Sequence, residues 1–144
     1  MIEMIDEKDQ KIIEMLELNA RTPFTEIAEE LGVSESTVRK RVERMEKDGV
    51  IKQYTVITDP AKRGYGTVTI LGLDVEPARF LDAARELARL PQTRTLSTST
   101  GDHMIMAEIW TKNGIELSEL ISGRIGAIQG VKNICPAILL ERIK

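Results

Sequence analysis

The stretch from Thr25 to Gly49 constrains this chain most. Thr25 is a good N-cap for a short helix over Glu26–Leu31. Ile27, Ala28 and Leu31 form its apolar stripe, and Gly32 supplies its stop. Val33 leads into Ser34, a second N-cap. A longer helix then runs from Glu35 to Asp48, with Val38, Val42 and Met45 inward at i, i+4 and i+7, and Gly49 ends it. Two helices joined by a tight glycine turn, the second longer and basic, make a helix-turn-helix pattern. Ahead of it, residues 6–18 read as a first helix. Asp6 is its N-cap, Asp9 places negative charge in the first turn, Ile12, Ile13 and Leu16 recur at helical spacing, and Pro23 closes the exit. Val50–Ile57 reads as a strand, with Val50, Tyr54 and Val56 on one side, able to form a small wing.

The texture changes after residues 60–66, a Pro- and Gly-containing linker. Residues 67–75 form a Val/Ile/Thr-rich strand. Pro77 opens a helix to about Leu90, with Phe80, Leu81, Ala84, Leu87 and Ala88 on one face. Arg94–Thr100 and His103–Thr111 read as strands around a Gly101-Asp102 turn. A second helix from Asn113 or Gly114 to Ile128 buries Leu117, Leu120, Ile121, Ile125 and Ile128, and Val131–Arg142 is a last strand. The order β-α-β-β-α-β predicts a ferredoxin-like domain over 67–144. The expected fold is therefore α+β: a winged helix-turn-helix domain over 1–59 and a ferredoxin-like domain after the linker. Such a domain has both helices on one sheet face. Met104, Met106 and Trp110 on one side of a strand, and Ile105, Ala107 and Ile109 on the other, predict two partly buried faces, the open one covered by a partner subunit.

Charge is distributed unevenly. The net charge is −3, and residues 1–59 are the more acidic part. Within them Arg39, Lys40, Arg41, Arg44, Lys47 and Lys52 stand against Glu43, Glu46 and Asp48. A locally basic helix in an acidic module predicts modest phosphate affinity per subunit and a need for multivalency. A 42% hydrophobic and 30% charged composition suits a folded chain. No apolar run reaches the roughly 18–20 residues of a membrane span. The acidic start, Met1 to Asp6, lacks the pattern of a signal peptide, and Cys135, the single cysteine, allows no intrachain disulfide. The expectation is a cytoplasmic protein with no membrane partner.

On the third helix, Ser36, Arg39, Lys40 and Glu43 point away from the inward stripe. Ser34, Ser36 and Thr37 bring hydroxyls and free backbone N–H groups to its start, suited to phosphates or base edges. Arg39 can pair with guanine in bidentate fashion, and Lys40 with guanine or phosphate. Arg44, Lys47 and Lys52 are phosphate candidates. A solvated amphipathic helix is the competing reading, and the helix-turn-helix spacing disfavours it. Catalysis has little support. One His and one Cys cannot make a usual zinc site, and no Gly-rich phosphate loop or nucleophile elbow occurs. No cofactor is expected. Cys135 reads as a buried small apolar residue, and Trp110 as core or interface.

The run Ile5-Asp6, Asp9, Ile12-Ile13, Leu16, Asn19-Ala20-Arg21, Glu26-Ile27-Ala28, Leu31-Gly32, Ser34, Ser36-Thr37-Val38, Arg41-Val42, Met45-Glu46, Gly49-Val50-Ile51, Tyr54, closing on Asp59-Pro60 and Gly64, resembles the leucine-responsive regulatory protein/AsnC (feast/famine) family. The likeness covers nearly the whole chain. It is long and specific in the N-terminal half. In the C-terminal half it rests on element order. The resemblance implies a transcriptional regulator that binds double-stranded DNA. It also implies dimers formed through the C-terminal sheets, assembling to tetramers, octamers or filaments, and effectors that are commonly amino acids. Their binding place would be the turn between the second and third strands, here Thr100, Gly101, Asp102, His103 and Met104. Gly101 permits close backbone approach, turn N–H groups can hold a carboxylate, and Asp102 can receive an ammonium group. The family's common pattern has a second acidic residue where this chain has Met104. On its own residues, Gly101-Asp102 is an ordinary hairpin turn. His103 reads as a polar strand residue or a pH-sensitive pocket wall. Two alternatives share the two-domain plan: a siroheme-decarboxylase-like enzyme, which should carry more His and Arg, and an oligomerising sensor without DNA binding.

Overall fold

The computed structural model describes residues 4–144. The first part of the acidic run read against a signal peptide, residues 1–3, lies outside the described residues. The chain divides into two compact units, one ending at Ile57 and one over Thr58–Lys144.

The first unit is three helices: α1 (Glu7–Leu18), α2 (Phe24–Leu31) and α3 (Glu35–Lys47). Asp6 caps α1 as its sequence predicts, and adds a reciprocal bond. Its side chain accepts from the Asp9 N–H at 2.8 Å, while the Asp9 carboxylate accepts from the Asp6 N–H at 3.2 Å. Helix α2 starts earlier than expected, at Phe24. Pro23 is its N-cap residue and no side chain caps it, so Thr25 lies inside the helix. A proline fits there because the N–H it lacks would have no helical partner. Gly32 ends α2 in the left-handed region at φ 66°, and the Val33 N–H closes the turn on the Ala28 carbonyl at 3.0 Å. Ile12, Ile27, Ala28, Val38, Val42 and Met45 form the core of this unit.

The expected strand at Val50–Ile57 does not form. A strand needs a neighbour for its ladder of N–H and C=O groups, and no described segment of this unit offers one. The segment is tethered instead by N–H groups of Val50 and Ile51 on the Met45 carbonyl, by packing of Ile51 on the core, and by the Tyr54 hydroxyl donating to Glu46 at 2.7 Å. Partial burial first, and that bond second, push the Tyr54 hydroxyl up to about 12. Val56 and Ile57 are exposed.

The second unit has the predicted order. Strand β1 (Thr67–Val75) is followed by a 3-10 turn at Pro77–Arg79, helix α4 (Phe80–Arg89), strands β2 (Thr93–Thr98) and β3 (Ile105–Thr111), helix α5 (Gly114–Glu119) and strand β4 (Val131–Ile138). The four strands form one antiparallel sheet in the order β2-β3-β1-β4. Both helices lie on one face. Ala83, Leu87, Leu117, Leu120, Ile125 and Ile128 share a core with Leu71, Leu73, Val75, Ile105, Ala107 and Ile109. Several details differ from expectation. Leu81 and Ala88 are exposed, and Ala83 lies in the core. Strand β2 ends at Thr98 and β3 begins at Ile105, so the turn between them is longer than Gly101-Asp102 alone. The α5 segment switches to π-helical winding over Leu120–Ile125, with Leu120 and Ile125 buried as expected. The last strand stops at Ile138. On the opposite sheet face, Met106 and Trp110 are half-buried, as the alternation predicts. Cys135 is exposed rather than buried, because its register opposite Gly72 on β1 puts it away from the helix-covered side.

Candidate nucleic-acid interface and effector turn

Helix α3 presents its residues in two rows. Val38, Val42 and Met45 are at most 2% exposed, and Ser36, Arg39, Lys40, Glu43 and Lys47 all face solvent. The N-terminus is held by Ser34, whose Oγ accepts from the Thr37 N–H at 3.2 Å. That Oγ lies 3.1 Å from Ser36 Oγ and 2.8 Å from Thr37 Oγ1, so the three hydroxyls form one exposed cluster at the positive end of the helix.

The basic residues differ in what holds them. Arg39 pairs with Glu35 one turn back, and its guanidinium lies 5.9 Å from the centre of the Phe24 ring on α2. Both partners of that pair are exposed, so it costs little to exchange for a base or phosphate. Lys40 and Lys47 have no ion-pair partner among the described residues. Arg44 is different. Its guanidinium donates to the carboxylate of Asp9, which is fully buried, and retains 41% exposure. Arg41 donates to Asp9 at 2.9 Å and to Asp6 at 2.7 Å. The sequence marked Asp6 and Asp9 only as helix-start residues. That they meet Arg41 and Arg44 across more than 30 residues is decided by how α3 crosses α1.

The Asp9 N–H, and then the Arg41 guanidinium, lower the Asp6 carboxyl from 3.8 to about 2. The ionised form is thus favoured by folding. Its stabilisation is complete well above pH 4 and is lost as pH falls toward about 2. Acid titration of the thermal midpoint should therefore show a steeper fall over that window for the native chain than for Asp6→Asn. Parallel curves would remove Asp6 from the acid response.

The turn after β2 is tight. The Ser99 N–H donates to the Met104 carbonyl at 2.9 Å, and Ser99 Oγ donates to the His103 carbonyl at 2.5 Å. Gly101 has φ 104°, a backbone that a side chain would strain. Thr100, Gly101 and Asp102 are exposed, and Asp102 has no side-chain partner among the described residues. His103 and Met104 lie back on the sheet, half-buried. The His103 ring covers the backbone of Gly72, where an added Cβ would sit 2.4 Å from the ring. Its Nδ1 is buried and makes no hydrogen bond among the described residues; it lies 3.5 Å from Asp74 Oδ2, which accepts from Asn133 at 3.3 Å. The five turn residues thus split into a projecting Thr100–Asp102 tip and a sheet-bound His103–Met104 base. On the same open face, Arg94 stacks 4.2 Å from the Trp110 ring centre, with Tyr65 and Arg63 alongside, and Trp110 donates to Glu108 at 2.6 Å. Among the described residues no cluster of His, Cys, Asp or Glu could hold a metal ion, and no helix is long and apolar enough to cross a membrane.

Comparison with known proteins adds independent findings. Residues 5–52 match a winged helix-turn-helix DNA-binding family, and residues 68–144 match the Lrp/AsnC ligand binding domain. The transcriptional regulator LrpA of Pyrococcus horikoshii is 50% identical over 141 residues, covering 98% of this chain and 100% of that protein. LrpA1 of Halobacterium salinarum is 38% identical over 136 residues, covering 94% of this chain and 96% of that one. Among solved structures, Escherichia coli AsnC is 26% identical with a TM-score of 0.87, covering 99% of this chain and 96% of that one. A Neisseria meningitidis transcriptional regulator solved as an L-Met complex is 20% identical with a TM-score of 0.88, covering 98% and 93%, and it shares the fold.

Proposed function

The chain belongs to the Lrp/AsnC family of helix-turn-helix transcriptional regulators, and from that premise we propose that α3 reads operator sequence in the major groove while a small effector at the 100–104 turn tunes binding. The observation that carries the reading is the division of α3 into a buried row and an exposed Ser36, Arg39, Lys40, Glu43 and Lys47 row behind a Ser34-capped start. Arg39 and Lys40 reach base edges. Ser34, Ser36 and Thr37 with their N–H groups, and Lys47 and Arg44, hold phosphates. Residues 60–66 link the reading head to the sensing domain. A second copy covers the open sheet face that carries Met106, Trp110 and Cys135, and such dimers assemble further. The two reading heads of a dimer then meet half-sites about one helical turn apart. Regulator relatives leave no support for the enzymatic alternative.

An amino-acid effector fits the turn chemistry: turn N–H groups for the carboxylate and an exposed Asp102 for the ammonium. It changes DNA affinity only by binding one assembly better than another. The test is titration of the purified chain against labelled duplex from its own upstream region and against unrelated duplex, at several salt concentrations, with and without mixed amino acids. Preference for its own region that weakens with salt is expected, and equal affinity for both duplexes would overturn the DNA reading. The mixture should shift the own-region titration, and L-methionine is the first single effector to try. Asp102→Ala should abolish that shift and leave the far-ultraviolet circular dichroism unchanged. A retained shift would move the effector site away from the turn.

A further inference from the structure

Asp9 is the one fully buried carboxylate among the described residues. A buried, ionised group is costly unless its oxygens are satisfied, and here both are. Oδ1 accepts from Arg41 at 2.9 Å, and Oδ2 accepts from Arg44 and from the Asp6 N–H at 3.2 Å. Asp6 supplies the second negative charge, accepting from Arg41 at 2.7 Å. Two carboxylates at the start of α1, one on its N-cap residue and one in its first turn, thus balance two guanidiniums on α3.

The two arginines are used differently. Arg41 is 24% exposed, and one of its terminal nitrogens serves both carboxylates. It fastens the two helices. Arg44 is 41% exposed and gives only one terminal nitrogen to Asp9, so its other donors remain toward solvent. A guanidinium is a planar fork. Fixing one arm on a buried carboxylate fixes the direction of the others. Ion pairs on the surface of this helix do not do this, since Arg39–Glu35 is exposed at both ends.

We propose that Asp9 is a positioning residue for DNA recognition: it fixes α3 on α1, aims the free donors of Arg44 at one backbone phosphate, and cancels charge that would otherwise attract any duplex. The proposal rests on α3 being the reading helix. Its signature is a loss of discrimination rather than a loss of binding. Asp9→Asn keeps the shape and removes the charge, leaving Arg44 free to reach phosphates in any register. Affinity for the specific duplex should fall roughly tenfold, of the size seen for coupled neighbours. Affinity for unrelated duplex should hold or rise, with a salt slope steeper by up to about one phosphate contact.

The experiment uses the full chain and measures both affinities across salt for the native protein, Asp9→Asn, Arg44→Ala and the double variant. A native chain that cannot distinguish its own region from unrelated duplex defeats the reading-helix premise itself, before any variant is considered. Given native discrimination, Arg44→Ala should cost specific affinity in the native background and much less in the Asp9→Asn background. Asp9→Asn lowering both affinities in equal proportion, or additive losses in the double variant, would overturn the proposal. Should Asp9→Asn fail to fold, Arg44→Lys decides. It keeps the charge but loses the fork, so it should lose specific affinity while keeping unrelated-duplex affinity and salt slope. Native-like specific binding by Arg44→Lys would overturn the proposal.

Discussion

Replacing Ile12 by alanine should cost the N-terminal unit about 2–5 kcal/mol, the usual range for emptying a buried aliphatic site. Ile12 is fully buried, sharing the core with Ile27, Ala28, Val38, Val42 and Met45, the other buried hydrophobic residues of that cluster among the described residues. Small units bury a limited share of their chain surface and have little stability in reserve. The loss is therefore comparable to the stability of the unit itself, and DNA binding should disappear with it. The two units can be followed separately. The single tryptophan, Trp110, lies in the second unit, whereas α1, α2 and α3 dominate the helical signal of the first. Ile12→Ala should bring forward a loss of helical circular dichroism while the fluorescence of Trp110 keeps its native transition. A helical transition at the native temperature would contradict the core assignment.

The second large effect is on sequence selectivity. Arg39→Ala should weaken binding to the specific duplex by about 1–3 kcal/mol, roughly 5- to 150-fold, if Arg39 makes a bidentate contact with guanine. It should affect unrelated duplex far less. Lys47→Ala should weaken both alike and reduce the salt slope by about one contact. Freeing Arg39 from Glu35 is inexpensive, since that pair is exposed, and the Phe24 ring beneath it limits where the guanidinium can go. Glu35→Gln should consequently change specific affinity much less than Arg39→Ala. Equal losses on both duplexes from Arg39→Ala would transfer base reading to another residue on the exposed row, with Lys40 the next to test.

The parts of the fold that were legible in the sequence are those written by neighbours a few residues apart. Asp6 and Ser34 cap the helices they precede, Gly32 stops α2, and the inward row of α3 follows its helical spacing. The alternation in β3 separates Ile105, Ala107 and Ile109 from Met106 and Trp110 because successive side chains point to opposite faces. The same local grammar misled where a partner was required. Val50–Ile57 has strand-like residues but no neighbouring strand among the described residues of its unit, so its alternation has nothing to pair with. Cys135 looked like a core residue by type, yet its side is settled by its register against Gly72. In the α5 segment the expected inward residues Leu117, Leu120, Ile125 and Ile128 are buried, but the winding over Leu120–Ile125 is π-helical where the spacing reads as plain α-helix.

For the candidate sites the division is similar. The exposed basic row of α3 and the glycine turn before Asp102 follow from helix period and turn chemistry, so the sequence alone placed them. Tertiary structure decided which of those groups are free. It tied Arg44 and Arg41 to Asp9 and Asp6, set the His103 ring over Gly72 beside Asp74, and left the Thr100–Asp102 tip projecting. The physical reason is range. Capping, helical period and strand alternation act between residues a few positions apart and are written into the chain. The solvation of a charge and the partner it finds depend on which elements cross, and only the folded packing of α3 on α1, and of β1 beside β3 and β4, determines that.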